Sequence, residues 1–315
     1  MQRRIFLATS AALAPGPALA QPAFPSRPVE IVVPYAAGGP ADRYVRAMVA
    51  ALREAWGQPI VISNRPGAGA SIGAAMVARA VPDGHTILMA SFGLVSNPLL
   101  MRDLPYDPRS LTPISLAGVG GMTLYTRASL GARDVPAFLA AARARPGGLR
   151  FGSSGVGSTP HVAAELFAAR AGVEIIHVPY RGSGPSLTDL LAGNLDAVFT
   201  ATAGGPATSG ALVAIASSGT RRSLLTPQVP TLTEAGLDVV ARTWYGFLAP
   251  AGTPQAAQSR LEEAFRSLAG VDEARRAFTE DDLEPRFTGA AEFGAFLAEE
   301  QAYWTPIFRE RNIQP

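Results

Sequence analysis

The feature that most restricts the fold of this chain is a regular alternation of short apolar runs with longer, alanine-rich amphipathic segments. The apolar runs predict strands at about 29–35, 59–63, 86–91, 111–118, 122–127, 149–153, 175–179, 195–200, 212–217 and 243–249. The segments between them predict helices at about 41–55, 69–80, 134–144, 158–171, 184–192, 254–269 and 290–310. Strands that alternate with helices are typical of βαβ units, so the sequence predicts an α/β protein with mostly parallel sheets.

The length of the chain predicts two lobes. It has 315 residues, whereas single hydrophobic cores stop growing at about 250 to 300 residues. Glycines relax the backbone at 117–121, and a second candidate crossover lies at 241–246. If the chain leaves at the first and returns at the second, lobe 1 comprises 21–119 and 243–315 and lobe 2 comprises 120–242. The two crossovers then form a hinge beside a ligand cleft.

The first 20 residues have the layout of a cleavable signal peptide. Arg3 and Arg4 precede an apolar run, and Ala18-Leu19-Ala20 fits a cleavage site. A membrane anchor needs about 20 apolar residues, whereas this run is short and interrupted by prolines. We therefore expect a periplasmic protein, exported through the Sec or the twin-arginine route, because paired arginines occur in both kinds of leader.

Two missing residue types exclude several classes of protein. The sequence has no cysteine and no lysine, which excludes disulfides, cysteine-ligated metals, P-loop lysines and Schiff-base chemistry. Loss of Arg3 and Arg4 with the signal peptide leaves 25 of the 27 basic residues against 25 acidic ones. A formally neutral chain lacks the basic surface that nucleic-acid binding requires.

A first glycine-rich loop follows the strand at 29–35. It reads Pro34-Tyr35-Ala36-Ala37-Gly38-Gly39-Pro40-Ala41-Asp42. Small residues at the start of a helix expose backbone N–H groups, and these together with the helix dipole attract anions. A plain strand-to-helix turn, in which Asp42 only complements the helix dipole, explains the same sequence. The position of Tyr35 inside the loop favours the cleft for its ring.

A second loop of the same kind follows the strand at 149–153. It reads Gly152-Ser153-Ser154-Gly155-Val156-Gly157-Ser158-Thr159-Pro160-His161. Ser158 can cap the next helix, while Ser153 and Ser154 carry hydroxyls that donate to a carboxylate oxygen. Two such loops, one in each predicted lobe, are what a cleft holding an anion from both sides requires.

Other kinds of site lack part of their sequence pattern. A hydrolase nucleophile elbow requires Gly-x-Ser-x-Gly, and neither Ser153 nor Ser154 has glycine at both positions. His161 and Glu165 share a helix face, but no third metal ligand lies at a spacing typical of a metal site. The glycines of 67–73 imitate a dinucleotide fingerprint, but no carboxylate ends the next strand. We therefore expect no catalytic residue, no metal and no cofactor.

Taken together, the motifs resemble the Bug family, the extracytoplasmic solute receptors of tripartite tricarboxylate transporters. Eight segments occur in the order typical of that family: 31–39, 64–69 with 72–74, 82–86, 104–108, 152–155, 177–182, 229–231 and 249–254. Each segment alone is ordinary. Together they extend over essentially the whole mature chain.

The resemblance implies a periplasmic binding protein type II-like fold whose cleft takes small carboxylic acids, with one carboxylate held by the two loops partly through water. Position by position it implies ligand contacts from Tyr35, Ala36, Ala37, Gly38, Gly39, Asp42, Ser153, Ser154, Gly157, Ser158 and His161, with Ser91, Tyr180 and Thr200 as further neighbours. It also implies membrane permease components as partners, and we expect a monomer.

Two positions depart from the family pattern. Ala41 stands where threonine is usual, and Arg43 stands where a small or apolar residue is usual. Arg43 either reaches inward, where it would pair with a second carboxylate, or points to solvent. The carboxylate site is therefore expected, while the rest of the ligand stays open.

The sequence thus predicts a solute-binding protein rather than an enzyme. Its ligand would be a di- or tricarboxylate or an aromatic acid, delivered to a tripartite tricarboxylate-type transporter. A sensor that presents its ligand to a signalling receptor would have the same sequence features. A serine esterase is a further alternative, for which Ser154→Ala would abolish turnover and leave binding intact.

Overall fold

The computed structural model describes residues 24–201 and 209–311, so the predicted signal peptide lies outside the described residues. Two β-sheets organise this part of the chain. The first has the spatial order β11 (Glu284–Pro285), β4 (Leu111–Gly120), β10 (Thr243–Pro250), β3 (Thr86–Ala90), β1 (Val29–Val33) and β2 (Ile60–Asn64). The second has the order β7 (Ile175–Pro179), β6 (Leu149–Ser153), β8 (Ala197–Thr200), β5 (Thr123–Arg127) and β9 (Leu212–Ser217).

Helices cover both faces of the first sheet. On one face pack α1 (Pro40–Trp56), α7 (Gln255–Ser267) and α8 (Asp272–Thr279). On the other pack α2 (Ser71–Ala78), α3 (Gly93–Leu100) and α9 (Ala290–Arg311). The central strand β1 buries Ile31 and Val33 toward the first group and Val32 toward the second. A continuous apolar run is what a parallel strand buried on both faces needs.

The second sheet is also covered on both faces. α4 (Val135–Arg143) and α5 (Thr159–Ala171) enclose an aromatic cluster that includes Phe138, Phe151 and Phe167. α6 (Ser183–Leu191) packs on the opposite face through the buried Leu190. Each sheet therefore has helices on both sides, which confirms the predicted α/β class.

The strand directions correct one expectation. Four strand pairs are parallel, namely β1–β2, β1–β3, β6–β7 and β6–β8. Five pairs are antiparallel, namely β3–β10, β4–β10, β4–β11, β5–β8 and β5–β9. The prediction of mostly parallel sheets is wrong because the chain leaves the first sheet along β4 and returns along the adjacent β10. Strands that lead out and back side by side must run in opposite directions.

The two connections between the sheets lie next to each other. The outgoing connection includes Met122, whose N–H donates to Ser218 Oγ at 3.0 Å. The returning connection includes Ala241, whose carbonyl accepts from Ser218 Oγ at 2.8 Å. The fully buried Ser218 thus joins the two. A division into lobes that move about this point remains a prediction.

Two helices of residues 24–201 and 209–311 were not predicted. α3 contains Gly93 and Pro98, residues that weaken a helix interior. α8 is strongly charged, with Asp272 and Glu273 in its first turn, and it buries little beyond Ala274 and Phe278. In both helices the tertiary contacts outweigh the local sequence preference.

Candidate functional site

Both glycine-rich loops lie at the carboxyl ends of parallel strands. The first loop, residues 34–42, follows β1, and Ser91 follows the neighbouring strand β3. The second loop, residues 152–161, begins in β6, and Tyr180 and Thr200 lie at the ends of its two parallel neighbours. Ligands of open α/β sheets bind at this edge.

Asp42 holds the first loop in shape. Its carboxylate is buried and accepts hydrogen bonds from the Gly38 N–H at 2.9 Å, from Arg46 Nε at 2.8 Å and from Asn64 Nδ2 at 3.2 Å. Burial alone would raise the pKa of Asp42, but these hydrogen bonds outweigh it and hold that pKa below its usual value. The Gly38 N–H is therefore occupied, and Asp42 faces its own loop.

The rest of the first loop is open to solvent. Ala36, Ala37 and Gly38 are exposed, and Gly38 has a φ of +79°, a conformation that favours glycine. Gly39 donates its N–H to Ala36 O at 3.3 Å and precedes the first helical residue, Pro40. The loop therefore presents backbone, not side chains, at the start of α1.

The structure brings Tyr35 and Ser91 together. The Tyr35 hydroxyl forms a hydrogen bond with Ser91 Oγ, and Asn64 Nδ2 donates to the Tyr35 carbonyl at 3.1 Å. Burial raises the pKa of Tyr35. Neutral hydroxyls therefore line this side of the loop at neutral pH.

Arg43 already has an anionic partner within the protein. Its Nη2 lies 2.7 Å from Asp281 Oδ2, which also accepts from the Tyr44 hydroxyl at 2.5 Å. About half of the Arg43 side chain is exposed. Asp281 thus takes the place that a second ligand carboxylate was suggested to fill.

Ser153 is the centre of the second loop. Its hydroxyl is buried, lies 2.6 Å from His177 Nε2 and accepts from the Gly155 N–H at 3.1 Å. Its carbonyl accepts from the Tyr180 N–H at 3.0 Å. Ser153 therefore ties the loop to the next strand, β7, and its hydroxyl is not turned toward solvent.

His161 holds the other end of the second loop. Its Nδ1 accepts from the Gly157 N–H at 3.1 Å, and its ring stacks on His177 with centroids 3.7 Å apart. Burial, and for His161 also the neighbouring His177, lowers the pKa of both imidazoles to about 4. Both rings are neutral at pH 7.

The remaining predicted residues differ in their surroundings. Ser158 Oγ donates to Gly155 O at 2.6 Å, and Thr200 is buried at the end of β8. Tyr180 donates its hydroxyl to Asp189 at 2.6 Å; burial first, and this bond second, raise the pKa of Tyr180 to about 12. Ser154 is half-buried, and within 24–201 and 209–311 its hydroxyl has no hydrogen-bond partner. Of the loop serines, Ser154 is the one whose hydroxyl is left without a partner in this part of the chain; a ligand contact for it remains a prediction.

One helix lies between the two loops. α3 begins just after Ser91, which bonds to Tyr35 of the first loop. Its other end contacts the second loop so closely that a Cβ on Gly157 would lie 2.5 Å from Leu100 Cδ1. A helix of eight residues is roughly 12 Å long. The structure therefore brings both loops to opposite ends of the same short helix.

A cavity lies apart from the two loops. It has a volume of about 310 Å³, lies beside the two connections between the sheets, and is lined by three arginines and three glutamates: Arg221, Arg242, Arg286, Glu284, Glu292 and Glu299. These side chains form ion pairs with one another or with the buried Glu300. Their charges are thus balanced inside the protein.

Metal-binding clusters and membrane-spanning helices are absent from the described part of the chain. Within 24–201 and 209–311, no group of three or more histidine and acidic side chains could hold a metal ion. No helix in this part is long and apolar enough to cross a membrane. The contact expected of a hydrolase, serine to histidine, occurs at the buried Ser153 and not at Ser154.

The sequence prediction missed two residues that support the loops. Asn64 lies beneath the first loop, and His177 lies beneath the second. Both belong to segments that carry the family resemblance, 64–69 and 177–182, so the signal was present. Their roles depend on contacts between strands, which sequence spacing does not reveal.

Comparison with known proteins gives consistent results. The model of the family described as "Tripartite tricarboxylate transporter family receptor" matches residues 44–313. Protein BugT of Bordetella pertussis is 34% identical over 325 aligned positions, which cover 98% of this chain and 96% of BugT.

Two solved structures from Rhodopseudomonas palustris are similar throughout. One, solved with adipate, is 31% identical with a TM-score of 0.85 and covers 93% of this chain and 99% of its own. The other, MatC with bound malate, is 29% identical with a TM-score of 0.81 and covers 90% of this chain and 99% of its own. Adipate and malate are both small dicarboxylates, although they differ in length.

Proposed function

The chain belongs to the tripartite tricarboxylate transporter receptor family, and from this premise we propose that it captures a small dicarboxylate between two lobes and delivers it to the membrane components of such a transporter. The observation that carries the proposal is the placement of two backbone-presenting loops at opposite ends of α3. The structures with adipate and malate support the ligand class.

The loops would bind the carboxylate through main-chain groups. The first loop precedes α1 and the second precedes α5, so the N–H groups that are not already bonded within each loop would lie at the positive end of a helix dipole. Ser154 would add one hydroxyl donor. A hydrogen bond to a charged group contributes about 1.5 to 3 kcal/mol. Several such bonds hold an anion without a lysine or a metal.

Lobe closure would couple binding to delivery. A ligand that touches both loops favours the state in which the loops approach each other, since only that state offers both sets of contacts. The connections joined by Ser218 form the hinge in this proposal. Membrane components that recognise the closed state then receive loaded protein only.

We assign no catalytic role to the chain. The serine that contacts an imidazole is the buried Ser153, whereas an acyl-transfer nucleophile must reach its substrate. We also propose that the protein is periplasmic and monomeric. The family supports the periplasmic location. Neighbouring genes for two membrane components would favour uptake over a sensory role.

Calorimetry tests the ligand class. Protein without residues 1–20 is titrated with malate, adipate, citrate and benzoate at pH 7.5. We expect saturable heat with malate or adipate, and Ser154→Ala should weaken it without abolishing it. Absence of binding across the whole panel would contradict the proposal, and turnover of an ester by the wild type, lost in Ser154→Ala, would favour the esterase.

A further inference from the structure

The two stacked imidazoles lie under the second loop and contact both of its ends. His177 belongs to β7, the strand next to β6, and its Nε2 lies 2.6 Å from Ser153 Oγ at the start of the loop. His161 belongs to the first turn of α5, and its Nδ1 accepts from the Gly157 N–H at 3.1 Å. The ring planes differ by 16°, so the pair forms a continuous support.

The bond to Gly157 fixes the protonation of His161. Because Nδ1 accepts a hydrogen bond, it carries no proton, and the neutral ring has its proton on Nε2. A second proton would have to sit on Nδ1 and face the Gly157 N–H, where two donors repel each other. The loop is therefore held in place only while His161 is neutral.

The hydrogen bond between Ser153 and His177 can run in either direction. The serine hydroxyl has one proton, which goes either to His177 Nε2 at 2.6 Å or to Gly155 O at 3.1 Å. Gly155 O already accepts from Ser158 Oγ at 2.6 Å. Donation to a neutral His177 satisfies the Ser153 hydroxyl and leaves Gly155 O to Ser158.

Few charges act on the stack. From α5 the facing charged group is Glu165, whose Oε1 lies 3.9 Å from His161 Nε2 and which is partly exposed. β6 contributes the neutral Ser153, and on β7 Tyr180 turns its hydroxyl to Asp189. One weak anionic neighbour does not offset the burial of two imidazoles, and burial lowers the pKa of each to about 4.

We propose that His177 is the positioning residue of the second anion-binding loop: it holds Ser153 by a hydrogen bond and His161 by ring stacking, and His161 must be neutral for the loop to bind a carboxylate. This inference rests on the proposed function for its ligand. His177 does not touch the ligand and acts through the loop. Acidification that protonates His161 breaks its bond to Gly157, releases the loop and weakens binding.

Two variants separate the contacts of His177. His177→Phe keeps a ring to stack on His161 and loses the bond to Ser153, while His177→Gln keeps a hydrogen-bonding amide and loses the stack. His85→Asn is the matched control, because His85 precedes β3 at the opposite end of the first sheet and contacts Phe24. Circular dichroism checks that all variants fold.

Hydrogen exchange tests the support without any ligand. We expect amide exchange at 155–158 to rise about tenfold in both His177 variants at pH 7.5, as expected for the loss of one hydrogen bond or packing contact. Exchange in His85→Asn should match the wild type there. Unchanged exchange in folded His177→Phe and His177→Gln would overturn the positioning role.

Affinity for malate and adipate tests the consequence for binding. At pH 7.5 we expect each His177 variant to bind about tenfold more weakly. Carboxylic acids titrate in the acid range themselves, so the wild-type to variant ratio is compared at each pH from 7.5 to 3.5. The ratio should fall toward one below about pH 4, because the wild type then loses the same support; a constant ratio down to pH 3.5 contradicts the requirement for a neutral His161. If the wild type binds neither acid, the proposed ligand class fails, while the exchange result still decides the role of His177.

Discussion

The two glycine-rich loops have the same backbone design but are held by opposite chemistry. The first loop is organised by a buried charge, the Asp42 carboxylate, with Arg46 and Asn64 as its partners. The second is organised by neutral groups, Ser153 and two imidazoles. The comparison teaches that similar loop sequences do not share a supporting structure, and that the two loops should fail under different conditions.

The largest expected effect is the loss of the charged support. Asp42→Ala leaves the Gly38 N–H, the Asn64 amide and Arg46 without their acceptor, and we expect the free energy of unfolding to fall by about 3 kcal/mol. Ligand binding should fall by more than about 100-fold. Chemical denaturation and calorimetry measure both.

Asp107→Ala is the matched control for that change. Asp107 also accepts a backbone N–H, that of Arg109 at 2.9 Å, but it is exposed and lies away from the loops. We expect a change of about 0.5 kcal/mol in stability. If Asp42→Ala behaves like Asp107→Ala, the first loop does not depend on its carboxylate.

Acidification should affect the second loop before the first. The folded pKa of His161 and His177 is about 4, below the usual 6.5, so the unfolded chain binds more protons between these values. Stability therefore falls as pH drops from about 6.5 to about 4, on the order of 3 kcal/mol for each ring. The pKa of Asp42 is lowered, so its contribution is lost only below the usual range of an aspartate.

Thermal unfolding measured across this pH range checks whether acid affects the second loop before the first. The difference between wild type and His177→Phe isolates the histidine contribution from Asp282 and Glu300, whose buried carboxyls have a raised pKa and act in the opposite direction. A difference that does not change with pH would show that the imidazoles are not titrating in the loop.

Two glycine substitutions compare the space around the loops. Gly38 and Gly157 have similar positive φ angles, +79° and +74°. A Cβ on Gly38 meets nothing within 4 Å, so Gly38→Ala should cost about 1 kcal/mol from backbone strain. A Cβ on Gly157 lies 2.5 Å from Leu100 Cδ1, so Gly157→Ala should cost about 2 kcal/mol and shift α3.

Chemical denaturation of Gly38→Ala and Gly157→Ala measures how much stability each variant loses. Equal losses of stability would mean that α3 does not press against the second loop. The double variant Gly157→Ala with Leu100→Ala should recover part of the stability that the clash costs. The loss of the Leu100 side chain removes apolar contacts of its own, so the recovery is incomplete.

The smallest effect is expected at Ser154. This hydroxyl has no partner within the described residues, so Ser154→Ala should leave stability within about 0.5 kcal/mol of wild type. If the hydroxyl donates to the ligand, affinity should fall about fivefold to tenfold. Calorimetry with the tightest-binding acid of the panel measures it, and unchanged affinity would leave the second loop with backbone donors only.

Much of the architecture could be predicted because strand and helix periodicity is local. The ten long strands were found, whereas α3 was missed, since Gly93 and Pro98 argue against a helix there. The direction of β10 was missed as well, because it follows from where the chain re-enters the first sheet. Neither fact leaves a periodic signal in the residues.

By itself, the sequence determined the α/β class, the positions of the two glycine-rich loops and the family to which the chain belongs. These depend on residue types at fixed spacing, which act over a few positions. Only the tertiary structure decided that Asp42 faces its own loop, that Asp281 pairs with Arg43, and that His177 lies beneath Ser153. The physical reason is that hydrogen bonds and stacking act over a few ångströms of space, and folding brings together residues that the chain separates by up to 238 positions.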